Sequence, residues 1–216
     1  MPRPRLDCDT PSAIQRMINT FWQLLSERRY RNITVTDIVR RANVNRNSFY
    51  YHFNKLDELA YRAIHDEVNR SPLVQSGGNG HVPDLQHWRK HVGELISTEE
   101  ERKRTERLTM IVGPNTDPVL YQAFHDNERE ALLAVLAREP EDVDPRTDLM
   151  MDFIIGGIMG ILNRWQQLNK HHGTDPLTDD DATAIAIRVY ALLLENRLPS
   201  GSPAGIPAGI TKQHAK

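Results

Sequence analysis

Hydrophobic residues recur three and four positions apart along most of the chain, which is the spacing of one face of an α-helix. Polar stretches containing Pro, Gly, Asn or Asp separate these stripes. The pattern predicts an all-α fold in which an N-terminal three-helix domain precedes a larger helical domain. The predicted bounds are 1–56 for the first domain, with a flexible basic arm at 1–10, then 57–198 for the second, and 199–216 for a disordered tail rich in Pro and Gly.

The stretch 34–59 carries the most specific pattern. Thr34, with Asp37 three residues later, predicts a capped helix start. Asn43 falls where this short helix must end, and Asn tolerates a left-handed turn. Asn45 can cap the next helix, whose two phenylalanines lie four residues apart and face inward. Two short helices joined by a tight turn predict a helix-turn-helix.

The second helix of this motif places polar and aromatic residues opposite its phenylalanines. A charged helix face is most often only solvated. Two adjacent exposed tyrosines, however, leave apolar surface in contact with water unless a partner covers them. Arg suits guanine, Asn suits adenine, and Tyr suits thymine methyl groups or phosphates. We expect Arg46, Asn47 and Tyr50 to touch bases. The other candidate DNA contacts, mainly to phosphates, are Thr34, Thr36, Asn45, Ser48, Tyr51, His52 and Lys55.

The charge is unevenly distributed. Residues 1–56 contain ten Lys or Arg and four acidic residues, a net charge of +6, whereas the remainder contains 17 basic and 25 acidic residues, a net charge of −8. A cationic first domain joined to an anionic second one favours local, salt-sensitive attraction to nucleic acid.

The stretch 34–59 resembles the DNA-binding segment of the tetracycline-repressor (TetR) family of bacterial transcription regulators. The matching pattern is T-V-x-x-I-V-x-x-A, a turn ending in Val44, then x-R-x-S-F-Y-Y-H-F and D-E-L. The sequence departs from the family pattern at Asn43, where Gly is usual, and at Leu56, where Lys is usual. The resemblance implies a cytoplasmic homodimer that binds a palindromic double-stranded DNA operator, most often as a repressor, and responds to a small-molecule effector of unknown identity.

The second domain offers candidates for the effector pocket and the dimer interface. Residues 149–171 and 182–197 predict two very apolar helices. The second is apolar nearly all round and needs burial on more than one side, and two such helices from each of two subunits suit a two-fold four-helix interface. The candidate interface residues are Phe153, Gly157, Ile161, Trp165, Ile185, Val189 and Leu192. The candidate residues for lining an effector pocket are Trp88, Met110, Phe124, Met151 and Trp165. Aromatic and Met residues at helical spacing are, however, more often simply part of the core.

Other regions predict little chemistry. The mixed charge run 99–107 predicts a solvated helix face, and 140–145 an acidic loop bracketed by two prolines. We find no phosphate-cradling Gly loop, nucleophile elbow or zinc-ligand spacing, so we expect no enzymatic activity, cofactor or metal site. The single Cys8 fits a reducing cytoplasm, and no apolar run is long enough to span a membrane.

Two rival interpretations remain open. In the first, the helix-turn-helix has lost DNA binding and serves as a docking surface of a dimeric co-regulator, which Leu56 in place of Lys slightly favours. In the second, the protein is an all-helical enzyme, which requires a metal; the nearest pattern is a single His125-x-x-Glu128.

Overall fold

The computed structural model describes residues 11–71, 74–75, 98–112, 117–136 and 138–171, with 165–171 described for the backbone only. Within these ranges the chain forms seven α-helices and two short 3-10 turns and contains no strand, which confirms the all-α prediction. The predicted arm at 1–10, the helix at 182–197 and the tail at 199–216 lie outside the described residues. The predicted domain bounds therefore stay a prediction.

Three helices form an N-terminal head. They are α1 (Ala13–Glu27), α2 (Val35–Arg41) and α3 (Arg46–His52), with a 3-10 turn at Tyr30–Asn32 between the first two. The hydroxyl of Ser12 caps α1 by accepting a hydrogen bond from the backbone N–H of Gln15 at 3.2 Å. The apolar stripes of the three helices meet in one core, whose buried members include Met17, Ile18, Phe21, Leu24, Ile38, Ala42, Phe49 and Phe53.

Four longer helices form the body. They are α4 (Leu56–Asn69), α5 (Glu99–Val112), α6 (Pro118–Leu136) and α7 (Pro145–His171), with a 3-10 turn at Pro140–Asp142 before the last. Their core is continuous with that of the head and includes Leu59, Ile64, Val68, Leu108, Ile111, Phe124, Leu132, Met151 and Ile155. Because α4 packs against both α1 and α6, it is the element that joins the head to the body.

The last described helix begins four residues earlier than the sequence pattern predicts. Asp144 caps it: one carboxylate oxygen accepts hydrogen bonds from the N–H groups of Arg146 and Thr147 at 3.0 and 3.1 Å. The other accepts one from the Thr147 hydroxyl at 2.6 Å. These hydrogen bonds hold the pKa of Asp144 below its ordinary value, and the one from the Thr147 hydroxyl has the largest effect. Pro145 therefore starts α7 rather than closing a loop, because the first residue of a helix has no use for its N–H.

The charge run on α5 is not wholly solvated, so that prediction is wrong for one side of the helix. Glu101 is buried, and Arg104 and Arg107 are half-buried. Nε of Arg104 donates a hydrogen bond to Glu101 at 2.6 Å. These residues lie three apart, so they share the face of α5 that turns towards the rest of the protein.

Candidate nucleic-acid interface

The turn between α2 and α3 has the geometry that the sequence predicts. Asn43 has a φ of 50°, the left-handed conformation that Asn tolerates better than other residues with a side chain. The next residue, Val44, is half-buried against the core, and its N–H donates to the carbonyl of Val39 at 3.1 Å. Asn45 then caps α3 by accepting a hydrogen bond from the N–H of Asn47 at 2.8 Å. These contacts fix the start of α3.

A complete capping box starts α2. The Thr34 hydroxyl accepts from the N–H of Asp37 at 3.2 Å, and the Asp37 carboxylate accepts from the N–H and the hydroxyl of Thr34 at 3.0 and 2.7 Å. The hydrogen bond from the Thr34 hydroxyl is the largest influence that keeps the pKa of Asp37 below its ordinary value. Arg28 and Arg40 each lie 3.3 Å from the same carboxylate. Thr34 therefore already has a structural partner, and any phosphate must share its hydroxyl.

The surface of α3 separates into an inward and an outward side, as its sequence predicts. Phe49 is completely buried and Phe53 nearly so. On the outward side, 46% of Tyr50 and 84% of Tyr51 are exposed. The remaining candidates on or beside this helix are also exposed, except Ser48, which is half-buried; the exposed ones are Thr36, Asn45, Arg46, Asn47, His52 and Lys55.

Two pairs of side chains order this outward side. Nη2 of Arg46 lies 3.4 Å from the hydroxyl of Tyr50, and its guanidinium carbon lies 5.6 Å from the centroid of that ring. This is a cation–π distance, so the ring holds the guanidinium beside it. Tyr51 and His52 meet edge to face with centroids 4.8 Å apart. The result is a small cationic and aromatic ridge, formed by Arg46, Tyr50, Tyr51 and His52.

The end of the motif differs in detail from the family pattern. Leu56 is half-buried and packs against the core, whereas Lys55 points to solvent with Nζ 3.4 Å from Asp57. Asp57 also accepts a hydrogen bond from the Tyr30 hydroxyl at 2.5 Å. Burial, and then this hydrogen bond to an acid, raise the pKa of Tyr30. The start of α4 is thus tied to the head through Tyr30.

The candidate pocket residues are only partly within the described residues. Phe124 and Met151 are completely buried in the core, and Met110 is half-buried. Trp88 lies outside the described residues, as does the side chain of Trp165. The effector pocket therefore stays a prediction.

One face of α7 is exposed and apolar. Leu149 is 70% exposed, Phe153 76% and Ile161 39%, although all three are large hydrophobic residues. The glycines at 156, 157 and 160 are also exposed, and a Cβ built on any of them meets no atom within 4 Å. The other interface candidates, Ile185, Val189 and Leu192, lie outside the described residues.

A charged cluster that was not predicted from the sequence lies between the head and the body. Glu67 on α4 is buried and pairs with Arg107 on α5, whose guanidinium also lies over the ring of Trp22 on α1. The signal was present in the three-residue spacing of Glu101, Arg104 and Arg107, but the partners come from distant parts of the sequence. In the described ranges, no group of three or more His, Cys, Asp or Glu side chains is arranged to hold a metal ion. Every helix among the described residues is too short or too polar to cross a lipid bilayer.

The fold and this surface define an all-helical protein with a helix-turn-helix head. Residues 18–63 match the family model described as "Bacterial regulatory proteins, tetR family". The match confirms the resemblance of the N-terminal part of the chain to this family of transcription regulators. No curated protein matches the sequence significantly.

Three solved structures align with most of the chain. The fatty acid degradation regulator FadR from Bacillus halodurans is 16% identical, covers 86% of this chain and 96% of its own, and superposes with a TM-score of 0.53. The TetR family repressor AlkX from Dietzia sp. strain DQ12-45-1b, implicated in biodegradation of n-alkanes, is 15% identical over 85% of this chain and 96% of its own, with a TM-score of 0.43. A TetR transcriptional regulator from Rhodococcus sp. RHA1 is 18% identical over 85% and 97%, with a TM-score of 0.44. At 16% identity, the likeness to FadR concerns the fold alone.

Proposed function

We propose that the protein is a cytoplasmic, DNA-binding transcription repressor that binds a palindromic operator as a homodimer. The observation that carries this proposal is the ridge on α3, where Arg46 and two tyrosines stand exposed on a helix whose opposite side is anchored by Phe49. An α-helix such as α3 fits the major groove of B-DNA. The guanidinium of Arg46 suits the acceptors of guanine, and Asn47 suits adenine.

Phosphate contacts complete the proposed interface. The exposed Thr36 and Lys55 and the half-buried Ser48 add donors to those of Tyr51 and His52 on the ridge. Contacts of this kind fix the orientation of the head on the duplex without reading its sequence. Thr34, whose side chain is held by the capping box at the start of α2, is a further proposed phosphate contact.

The proposed second copy covers the exposed face of α7. Leu149, Phe153 and Ile161 form a stripe at helical spacing, and the three glycines along it allow a partner helix to approach closely. A two-fold axis through this face carries two heads and therefore suits a palindromic site. Control by a small-molecule effector in the body remains part of the proposal, with no chemical class assigned to the effector.

Footprinting of the purified protein on the intergenic DNA beside its own gene tests the proposal. We expect a protected palindrome, and Arg46→Ala should weaken binding to it by about 1–3 kcal/mol while binding to scrambled DNA changes little. The matched control is Arg102→Ala, which makes the same change of charge at an exposed position of α5, paired with Glu99. Equal binding of cognate and scrambled duplexes by the wild-type protein contradicts the proposal.

A second candidate is a dimeric co-regulator whose head docks a protein instead of DNA. The pairing of Lys55 with Asp57 favours it, because the cation nearest to the usual phosphate position is partly neutralised. Salt separates the candidates, since duplex binding must weaken steeply with ionic strength. A head that binds no duplex at low salt supports the co-regulator.

A further inference from the structure

Glu67 on α4 is a nearly inaccessible carboxylate that faces the body. Only 2% of the residue is exposed. Its Oε1 accepts hydrogen bonds from Nη1 of Arg107 at 2.5 Å and from Nη2 of Arg70 at 3.1 Å. A buried carboxylate that stays charged must be paired and hydrogen-bonded, and removal of one partner is strongly unfavourable. The Glu67–Arg107 pair therefore fixes α5 against α4.

The same guanidinium reaches the head. The guanidinium carbon of Arg107 lies 5.9 Å from the ring centroid of Trp22 on α1, a residue that is 3% exposed. A planar guanidinium can present its face to an aromatic ring and its edge to a carboxylate at the same time, whereas an ammonium group is a point charge. Arg107 thus contacts the head and the joining helix at once. Arg104 supports the arrangement with Nη1 3.4 Å from the Glu67 carbonyl oxygen.

We propose that Arg107 is a positioning residue that sets the orientation of the head relative to the body by bridging Trp22 and Glu67. It lies on α5 and is not among the residues proposed to contact DNA. Its consequence for DNA rests on the proposed function: in a dimer, the orientation of each head fixes the separation of the two α3 helices and hence the preferred spacing of half-sites.

A measurement without DNA tests the bridge directly. In the full-length Cys8→Ser protein, spin labels at Gln23→Cys on α1 and Ala134→Cys on α6 report the distance between head and body, because both positions are exposed. Labelled subunits are diluted with unlabelled ones. We expect one narrow distance distribution, which Arg107→Met and Glu67→Gln should each shift or broaden. Because the two residues act as one unit, the double variant should show no more change than either single variant.

Two further variants serve as a control and as a conservative replacement. Arg102→Met is the control. Arg102 is an exposed arginine of the same helix, and its ion pair is with Glu99, also on α5. Its replacement should leave the distance distribution unchanged. Arg107→Lys keeps a charge opposite Glu67 but lacks the planar group that faces Trp22, so it should produce an intermediate change even if the Met variant does not fold. A wild-type distribution in folded Arg107→Met or in Arg107→Lys overturns the proposal.

The second readout is operator spacing. On the footprinted site, Arg107→Met should bind about tenfold more weakly than wild type, and part of this loss should be recovered on duplexes whose half-sites are moved apart or together by one or two base pairs. A merely structural role weakens binding at every spacing alike, and that outcome also overturns the proposal. If the wild-type protein binds no duplex, the proposed function fails, whereas the distance measurement still decides the bridge.

Discussion

Asn43 allows the sharp turn that places α3 across α2. Its φ of 50° is costly for residues with a Cβ, less so for Asn, and free for Gly. We expect Asn43→Ala to lower the free energy of unfolding by about 1 kcal/mol, whereas Asn43→Gly should leave it nearly unchanged. Urea denaturation of the two variants checks this. Equal stability of the Ala and Gly variants would contradict the role assigned to the turn.

Glu128 is expected to make the stability of the folded protein depend on pH. Burial raises its pKa to about 7 from the ordinary 4.5, with the positive charge of Arg104 acting in the opposite direction. The folded state therefore binds the proton more tightly than the unfolded state, so stability is lost as the pH rises from about 4.5 to about 7. Below this window the neutral acid causes no such loss.

Replacement of this acid by an amide should reveal the effect. Glu128→Gln should have nearly wild-type stability at pH 4.5 and be more stable at pH 8, by at most on the order of 3 kcal/mol for a shift of this size. Thermal or urea unfolding at the two pH values measures it. Glu130→Gln, which makes the same replacement at an exposed position of the same helix, is the control. A constant difference between Glu128→Gln and wild type across pH argues against a buried titrating acid.

At the scale of single elements, the exposed face of α7 has the clearest consequence. Phe153 contributes a large apolar side chain that is 76% exposed in the single chain. If a second copy covers it, Phe153→Arg places a charge in the centre of an apolar interface and should convert the dimer to a monomer. Sedimentation velocity measures the change. Tyr121→Arg, at an exposed aromatic on α6, is the matched control, and a wild-type mass for Phe153→Arg rejects this face as the interface.

The elements also show which features a sequence can predict. The capping box at Thr34, the turn at Asn43 and the inward phenylalanines of α3 depend on residues within a few positions, so local rules were sufficient. The contact between Arg107 and Glu67 joins residues 40 positions apart, and Trp22, the other partner of Arg107, lies on a third helix, α1. Local rules describe such a charge as solvated, because only tertiary packing decides which turn of the helix becomes buried.

At the scale of the whole molecule, charge is divided between the two parts of the chain. The first 56 residues carry a net charge of +6 and the remainder −8. Proposed DNA binding should therefore fall steeply with salt, because each phosphate contact releases condensed counterions. A protein with 6–10 such contacts loses about 10³–10⁵ in affinity between about 50 and 200 mM salt.

Lys55 offers a test of this electrostatic account. If it binds a phosphate in each subunit, Lys55→Ala should make the plot of log affinity against log salt shallower by about 2, since each lost contact removes about 1 from the slope. Titration of a labelled duplex at several salt concentrations gives this slope. An unchanged slope indicates that Lys55 remains with Asp57, from which it lies 3.4 Å away in the free protein.

The glycines of α7 link the secondary structure of one subunit to the presence of another. Each glycine inside a helix costs about 1 kcal/mol relative to alanine, and positions 156, 157 and 160 place three of them within two turns. The open space beside them leaves the peptide groups accessible to water in a solitary subunit. If a partner helix shields that stretch, completing the helix and assembling the pair become a single thermodynamic event. Dilution alone would then weaken the proposed repression, so the cellular abundance of the protein would itself affect regulation.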